Sequence, residues 1–108
     1  MTDRADLSAL LEDLTPELGP IETTTKGDAL EWSAGGVTFA ELTDVGVELR
    51  LDPAIAAAAS HTPDTELSTR GPEWIRFHPR TLDDHAIDRL EAWFALAVRR
   101  ANQQGGRP

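Results

Sequence analysis

The sequence predicts an α+β domain: an antiparallel sheet of about five strands with helices mainly on one face, in the order α-β-β-β-β-α-β-α. Leucines and alanines recur with helical spacing near both ends of the chain, whereas apolar and polar residues alternate with a period of two between residues 21 and 51. Short connections containing glycine or aspartate join the alternating segments, which favours an antiparallel meander. We expect the 108 residues to form a single domain.

The first helix is predicted over residues 1–15. Its leucines have the spacing i, i+3, i+4 and i+7, which places them in one apolar stripe: Leu7, Leu10, Leu11 and Leu14. Thr2 or Asp3 is suited to cap its start, and Pro16 is expected to end it. We expect the stripe to contact the core of the domain; the alternative is a helix that docks in the groove of a partner.

Residues 21–78 are predicted to form the sheet, with one short helix inserted. Four alternating segments come first, IETTT, ALEWS, VTFAELT and VGVELRL, and turns near residues 27, 35 and 44 separate them. In the third segment the alternation predicts that Phe39 and Glu41 share one face while Ala40 and Leu42 share the other. Asp52 and Pro53 then favour the start of a short helix, AIAAAAS.

An irregular loop is predicted over residues 61–72, because this segment is rich in Pro, Gly, Thr, Ser and Asp. A connection of this length in a small domain is often functional. The segment EWIRFHP, which follows, predicts a fifth strand. Ile75 and Phe77 would face inward, and Trp74, Arg76 and His78 would face the opposite way.

The last helix is predicted over residues 82–103, followed by a tail at 104–108. Thr81 and Asp84 resemble a capping box at its start. Trp93 belongs to a long apolar stripe and is therefore expected to be buried. The stripe comprises Leu82, Ala86, Ile87, Leu90, Trp93, Phe94, Ala97, Val98 and Ala101.

Composition excludes several classes of function. The chain has no cysteine, which excludes disulfides and thiolate chemistry, and it has no apolar run of the length needed to cross a bilayer. Acidic residues are scattered through the N-terminal segment, which argues against a secretory signal, so a cytoplasmic location is expected. The net charge is −9, which disfavours nucleic acid and anionic membrane surfaces as partners.

Catalytic, metal and cofactor sites are not predicted. His61, His78 and His85 are the only histidines, and no two of them are spaced as metal ligands on one helix face. Ser60 and His61 are adjacent in sequence, which is not the geometry that a nucleophile and its base require. The paired glycines at 35 and 36 lack the lysine and helix of a phosphate-binding loop.

The segment around Arg70 is the best candidate for a binding site. Its guanidinium group could hold a carboxylate or a phosphate, and Arg76 could add to it from the strand that follows. The favoured alternative is that Arg70 pairs with Asp64 or Glu66 and only holds the loop in place. The full set of candidate ligand-binding or partner-binding residues is His61, Asp64, Arg70, Trp74, Arg76 and His78.

Residues 28–101 also resemble known families. The pattern VELRLDP-AIAAAA, then PDT, RGPEWIRF and DDHAIDRLEAWFALAVRRA, is similar to small bacterial proteins of the luciferase family. It resembles, second, the MmcQ/YjbR family of double-wing proteins. Both resemblances imply a sheet that leads into a short helix, a tryptophan-containing strand and a long C-terminal helix. The second also implies DNA binding, and neither assigns a catalytic residue to this sequence.

We therefore expect a non-enzymatic domain without cofactor that binds a protein or a small anionic ligand through residues 61–78. This hypothesis predicts an exposed apolar patch near Trp74 or on the leucine helix. A first alternative is a nucleic-acid-binding domain that uses a face formed by Arg70, Arg76, Arg80, Arg89, Arg99 and Arg100. A second alternative is a small hydrolase that uses His61 or His78. The sequence leaves the oligomeric state open.

Overall fold

A six-stranded antiparallel sheet forms the centre of the computed structural model, which describes residues 4–105. The strands are β1 (Glu22–Lys26), β2 (Ala29–Ala34), β3 (Val37–Thr43), β4 (Gly46–Arg50), β5 (Thr65–Leu67) and β6 (Trp74–Phe77), in the spatial order β1-β2-β3-β4-β6-β5. The helices are α1 (Arg4–Leu14), which a 3₁₀ turn at Thr15–Leu18 follows, α2 (Pro53–Ala59) and α3 (Asp84–Gly105). The predicted α+β class and the antiparallel sheet are confirmed.

Strand β5 is the main departure from the predicted architecture. The sequence predicted an irregular loop over residues 61–72, but Thr65–Leu67 pairs with β6, on the edge of β6 that faces away from β4. Backbone hydrogen bonds from His78 N to Asp64 O (3.0 Å) and from Ser68 N to Trp74 O (2.9 Å) extend this pairing at both ends. Three residues are too short to show a period of two, so only the unpaired edge of β6 explains why this segment is extended.

The core lies between one face of the sheet and the helices. From α3, Phe94 meets Trp32 and Phe39 edge to face, with ring centroids 6.4 and 5.3 Å apart. Trp93 packs edge to face on Phe77 at 5.3 Å and is 8% exposed, which confirms its predicted burial. The leucines of α1 join the same core, with Leu7 and Leu11 buried and the other two partly buried. The helices therefore cover mainly one face, as predicted.

A β-bulge in β3 corrects the predicted alternation. Trp32 pairs with Ala40 and Ser33 with Thr38, so that Phe39 is the extra residue of the bulge. Phe39 consequently packs against the helices, although Glu41, two residues later, lies on the opposite face with the other carboxylates of the sheet. The prediction that Phe39 and Glu41 share a face is wrong, because the extra residue shifts the alternation by one position.

The helix starts agree only in part with the sequence. The side chain of Asp52 caps α2 by accepting from Ala54 N at 2.9 Å, as predicted. Asp83, and not the predicted pair Thr81 and Asp84, caps α3, since its carboxylate accepts from Ala86 N at 2.9 Å. α3 extends through residue 105, so residues 104 and 105, which were predicted to belong to the tail, are helical. The predicted caps Thr2 and Asp3 and the tail residues 106–108 lie outside the described residues.

Within residues 4–105, no helix has both the length and the apolar character needed to span a bilayer.

Candidate functional site

Charged side chains cross the face of the sheet that the helices leave uncovered. Cross-strand pairing aligns Glu31, Glu41, Glu48, Arg76 and Glu66 in one row over five neighbouring strands. We call this set the polar row. Its first three members are carboxylates directly opposite one another, an arrangement that destabilises a sheet unless a cation lies between them.

Arg70 supplies that cation from the loop between β5 and β6. Its Nε lies 2.8 Å from Glu48 Oε1, and its guanidinium also forms an ion pair with Glu41. The guanidinium carbon lies 4.7 Å from the ring centroid of Trp74, a cation–π contact. Because Glu41 is only 9% exposed, Arg70 neutralises a carboxylate that has little access to water.

The partners of Arg70 differ from those predicted. The sequence favoured Asp64 or Glu66, but the loop crosses the sheet face and brings Arg70 over β3 and β4. The expectation that Arg70 holds the loop in place agrees with this geometry. Its guanidinium is occupied by two carboxylates of the same chain, so an external carboxylate or phosphate would have to compete with both.

Ser68 holds the same loop, and sequence reasoning missed it. Its buried hydroxyl donates to Glu48 Oε2 at 2.5 Å and accepts from Arg70 N at 3.2 Å. The second contact is the turn in which a serine oxygen binds the backbone N–H two residues on. The sequence Ser-Thr-Arg-Gly is compatible with such a turn, which is the one signal that could have identified Ser68.

Glu73 links the sheet to α3 just before β6 begins. One of its carboxylate oxygens pairs with Arg100, from α3, and the other lies 3.2 Å from Arg50 Nη2, from β4. The hydrogen bond from Arg100 and, to a smaller extent, that from Arg50 lower the pKa of Glu73 below its ordinary value, against the opposing effect of burial. This ion-pair bridge fixes the end of α3 against the strand that carries Trp74.

An open cleft of about 450 Å³ lies at the end of the sheet where the β3–β4 turn meets β5 and β6. We call it the Asp64 cleft; it is lined by Asp44, Val45, Asp64, Thr65, Glu66, Arg76 and His78. Asp64 has a positive φ of 60°, a conformation that aspartate tolerates better than most residues. Its carboxylate accepts from Arg80 N at 3.2 Å and its carbonyl oxygen accepts from His78 N at 3.0 Å. These two hydrogen bonds hold Asp64 in place in the lining of the cleft.

The six predicted site residues do not converge on one place. Three of them, Asp64, Arg76 and His78, line the Asp64 cleft. Arg70 and Trp74 stack on each other over the polar face instead. His61 follows α2, where its backbone N–H donates to Ala58 O at 3.2 Å, and its side chain is exposed and does not line the cleft.

The exposed apolar residues also lie elsewhere than predicted. Leu7 and Leu11 of the leucine stripe are buried, and Trp74 is half-buried beside Arg70. Among the described residues, Val45 and Leu67 are the large apolar side chains that are exposed. Val45 belongs to the Asp64 cleft, and Leu67 lies on the neighbouring edge strand β5.

The three histidine side chains have no hydrogen-bond partner of the kind that catalysis requires in the described part of the chain. His61, His78 and His85 are all exposed, and no imidazole hydrogen bond to a hydroxyl or carboxylate occurs within residues 4–105. The same residues contain no group of three potential metal ligands.

The arginines proposed for nucleic-acid binding do not form one free face. Four of the six have carboxylate partners: Arg70 with Glu41 and Glu48, Arg76 with Glu66, Arg80 with Asp64, and Arg100 with Glu73. Arg89 lies over the ring of Phe77, with its guanidinium carbon 5.4 Å from the centroid. Most of the positive charge is therefore engaged within the molecule.

Comparisons with protein-family models, with curated proteins and with solved structures yield no significant match. The resemblances to the luciferase and MmcQ/YjbR families stay predictions.

Proposed function

We propose that this chain is a protein-binding module that holds a basic segment of its partner in the Asp64 cleft. The observation that carries the proposal is the composition of the cleft lining, which contains the exposed Val45 and two solvent-accessible carboxylates. Asp44 and Glu66 have side chains that are 85% and 65% exposed. The accessible carboxylates offer acceptors to a cationic group, and Val45 adds an apolar contact beside them.

The charges of the cleft support a cationic rather than an anionic partner. Its lining contains three carboxylates and one arginine, and that arginine already pairs with Glu66 at 3.3 Å. Asp44 pairs with Arg4 at 3.2 Å on the surface. The carboxylate of each pair is exposed, although its arginine is partly buried. Water therefore screens both pairs, and pairs at a surface contribute only about 0–1 kcal/mol, so an incoming guanidinium or ammonium group can compete for the carboxylates at little cost. The net charge of −9 would also accelerate encounter with a basic partner.

Peptide binding tests the proposal. A fluorescein-labelled peptide of about ten residues, containing three arginines and two leucines, is titrated with the protein at low salt and followed by fluorescence anisotropy. A second peptide has glutamate in place of each arginine. We expect the basic peptide to bind and the acidic peptide not to bind. The double variant D44N/E66Q should raise the Kd of the basic peptide about three- to tenfold, which is the loss expected when two charge pairs at a surface are removed. Val45→Ser, added to D44N/E66Q, should raise the Kd of the basic peptide again, because it removes the apolar contact.

A matched control removes the same charge elsewhere. Glu12 and Asp13 are exposed on α1, so E12Q/D13N changes the net charge as D44N/E66Q does. This control should leave the Kd within about twofold of wild type. Equal weakening by both double variants would show that attraction to the overall charge explains binding, and tighter binding of the acidic peptide would contradict the cationic partner.

A further inference from the structure

Strand β1 leaves one edge of the sheet open. It is the first strand in the spatial order and pairs only with β2 among the described strands. All five of its residues are exposed, on both faces. An edge of this kind presents unpaired N–H and C=O groups to any strand that can align with it.

The hairpin that ends β1 determines which of its backbone groups point outward. Lys26 pairs with Ala29 across a two-residue turn, in which Gly27 has a positive φ of 62°. Asp28, the second residue of the turn, is not among the residues with a positive φ. A two-residue turn in which only the first residue, a glycine, has a positive φ is of type II′, and the two residues that flank it, here Lys26 and Ala29, exchange backbone hydrogen bonds. Hydrogen-bonded and non-hydrogen-bonded pairs alternate along an antiparallel ladder. The outward N–H and C=O groups of β1 are therefore those of Thr23 and Thr25.

The sequence of β1 is complementary to itself in the antiparallel direction. When two copies of Glu-Thr-Thr-Thr-Lys are aligned about Thr24, Thr23 of each copy lies opposite Thr25 of the other, so the outward backbone groups meet. Glu22 of each copy then lies opposite Lys26 of the other, which gives an opposite-charge pair at both ends. Threonine pairs and opposite-charge pairs are both favourable cross-strand neighbours.

Other registers lose this complementarity. A shift by one residue places outward backbone groups opposite inward ones. A shift by two residues either places Glu22 opposite Asp28, which is a like-charge pair, or leaves Lys26 opposite Pro20. Within residues 4–105, Glu22 has no ion pair, and Lys26 reaches Glu31 only at 4.0 Å. Both side chains are therefore available to a second copy.

We propose that β1 is a homodimerisation edge: two copies of this chain pair their β1 strands antiparallel about a two-fold axis at Thr24, which joins the two six-stranded sheets into one continuous sheet. A contact of five residues per copy is smaller than a standard stable interface. The dimer is accordingly weak, with a Kd on the order of 10–100 µM. It uses the edge of the sheet opposite to β5, so it is independent of the peptide binding proposed for the Asp64 cleft.

Charge exchange within β1 tests the proposal. Sedimentation velocity is recorded from about 10 µM to 1 mM for wild type, Glu22→Lys, Lys26→Glu and the double exchange E22K/K26E. Each single variant places like charges opposite each other at both ends of the strand pair, so its dimer Kd should rise at least tenfold. The double exchange should restore wild-type dimerisation.

The mixture of the two single variants gives the sharpest result. One copy with E22K and one copy with K26E are complementary at both ends, so an equimolar mixture should form the dimer that each variant alone fails to form. Thr23→Pro removes an outward N–H and should also abolish dimerisation. It spares the hydrogen bonds between β1 and β2, and a thermal melt confirms that the variant is folded.

Two outcomes would overturn the proposal. One is a wild-type chain that remains monomeric up to 1 mM. The other is a dimer that tolerates both single charge variants and T23P, since that dimer would use another surface. The variant D44N/E66Q should dimerise as wild type does, which separates this test from that of the Asp64 cleft.

Discussion

Replacing Arg70 by methionine should destabilise the fold by about 2–3 kcal/mol. The substitution removes the cation between Glu41 and Glu48 but keeps most of the apolar stem that packs beside Trp74. Removing one partner of a buried ion pair costs about 3–5 kcal/mol, since the other charge stays buried and unpaired. Because the Arg70 side chain is 34% exposed, water reaches the site and reduces this cost.

A second substitution should restore much of the loss. In R70M/E41Q the more deeply buried carboxylate is also removed, so the like charges of β3 and β4 no longer face each other. Urea unfolding at pH 7, followed by tryptophan fluorescence, gives the free energy of unfolding of each variant.

The matched control is Arg99→Met, on the exposed side of α3. It removes the same charge and should change the free energy of unfolding by less than about 0.5 kcal/mol, as a surface substitution usually does. The reasoning about the polar row would be refuted if R70M cost no more than R99M, or if E41Q failed to recover stability in the R70M background.

Trp93→Ala should cost about 3–5 kcal/mol in urea unfolding, the usual range for an aromatic removed from a core, and a loss below 1 kcal/mol would show that α3 does not pack on Phe77. Gly46→Ala should lower the free energy of unfolding by about 1–3 kcal/mol or prevent folding, because the φ of Gly46 is +125° and an added Cβ would lie 2.7 Å from Phe77 O. A thermal melt identical to that of wild type would contradict the close approach of β4 and β6 at this position. Glu73→Gln should destabilise the protein at pH 7, and the difference from wild type should shrink as the pH falls below 4.5, the ordinary pKa of the group. The lowered folded-state pKa means that the carboxylate stabilises the fold above this pH and loses that effect as it is protonated; a difference from wild type that is constant between pH 7 and 3 would refute the Arg50–Glu73–Arg100 bridge.

For the residues of β6, the sequence predicted the face of the sheet on which each side chain lies, but it did not predict which distant side chains it would contact. Alternation correctly placed Arg76 and Trp74 on the face opposite Ile75 and Phe77, because the period of a single strand determines sidedness. Spacing along the chain carries no information on which distant side chains meet. Arg70 and Glu41 are 29 residues apart and come into contact only through the register of β3 with β4 and the path of the loop.

The sequence by itself determined the local elements: three helices, five of the six strands, the cap of α2 and the burial of Trp93. Each of these follows from periodicity or from a side chain that bonds its own neighbouring backbone, and such signals extend over a few residues. Only the tertiary structure decided that Thr65–Leu67 is a strand, that Phe39 is the extra residue of a bulge, and that Arg70 lies between two glutamates. These three outcomes depend on how the strands align across the sheet. The open edge of β6 needs a backbone partner and the carboxylates of Glu41 and Glu48 need a cation, and only the assembled sheet determines which distant segment lies close enough to supply them.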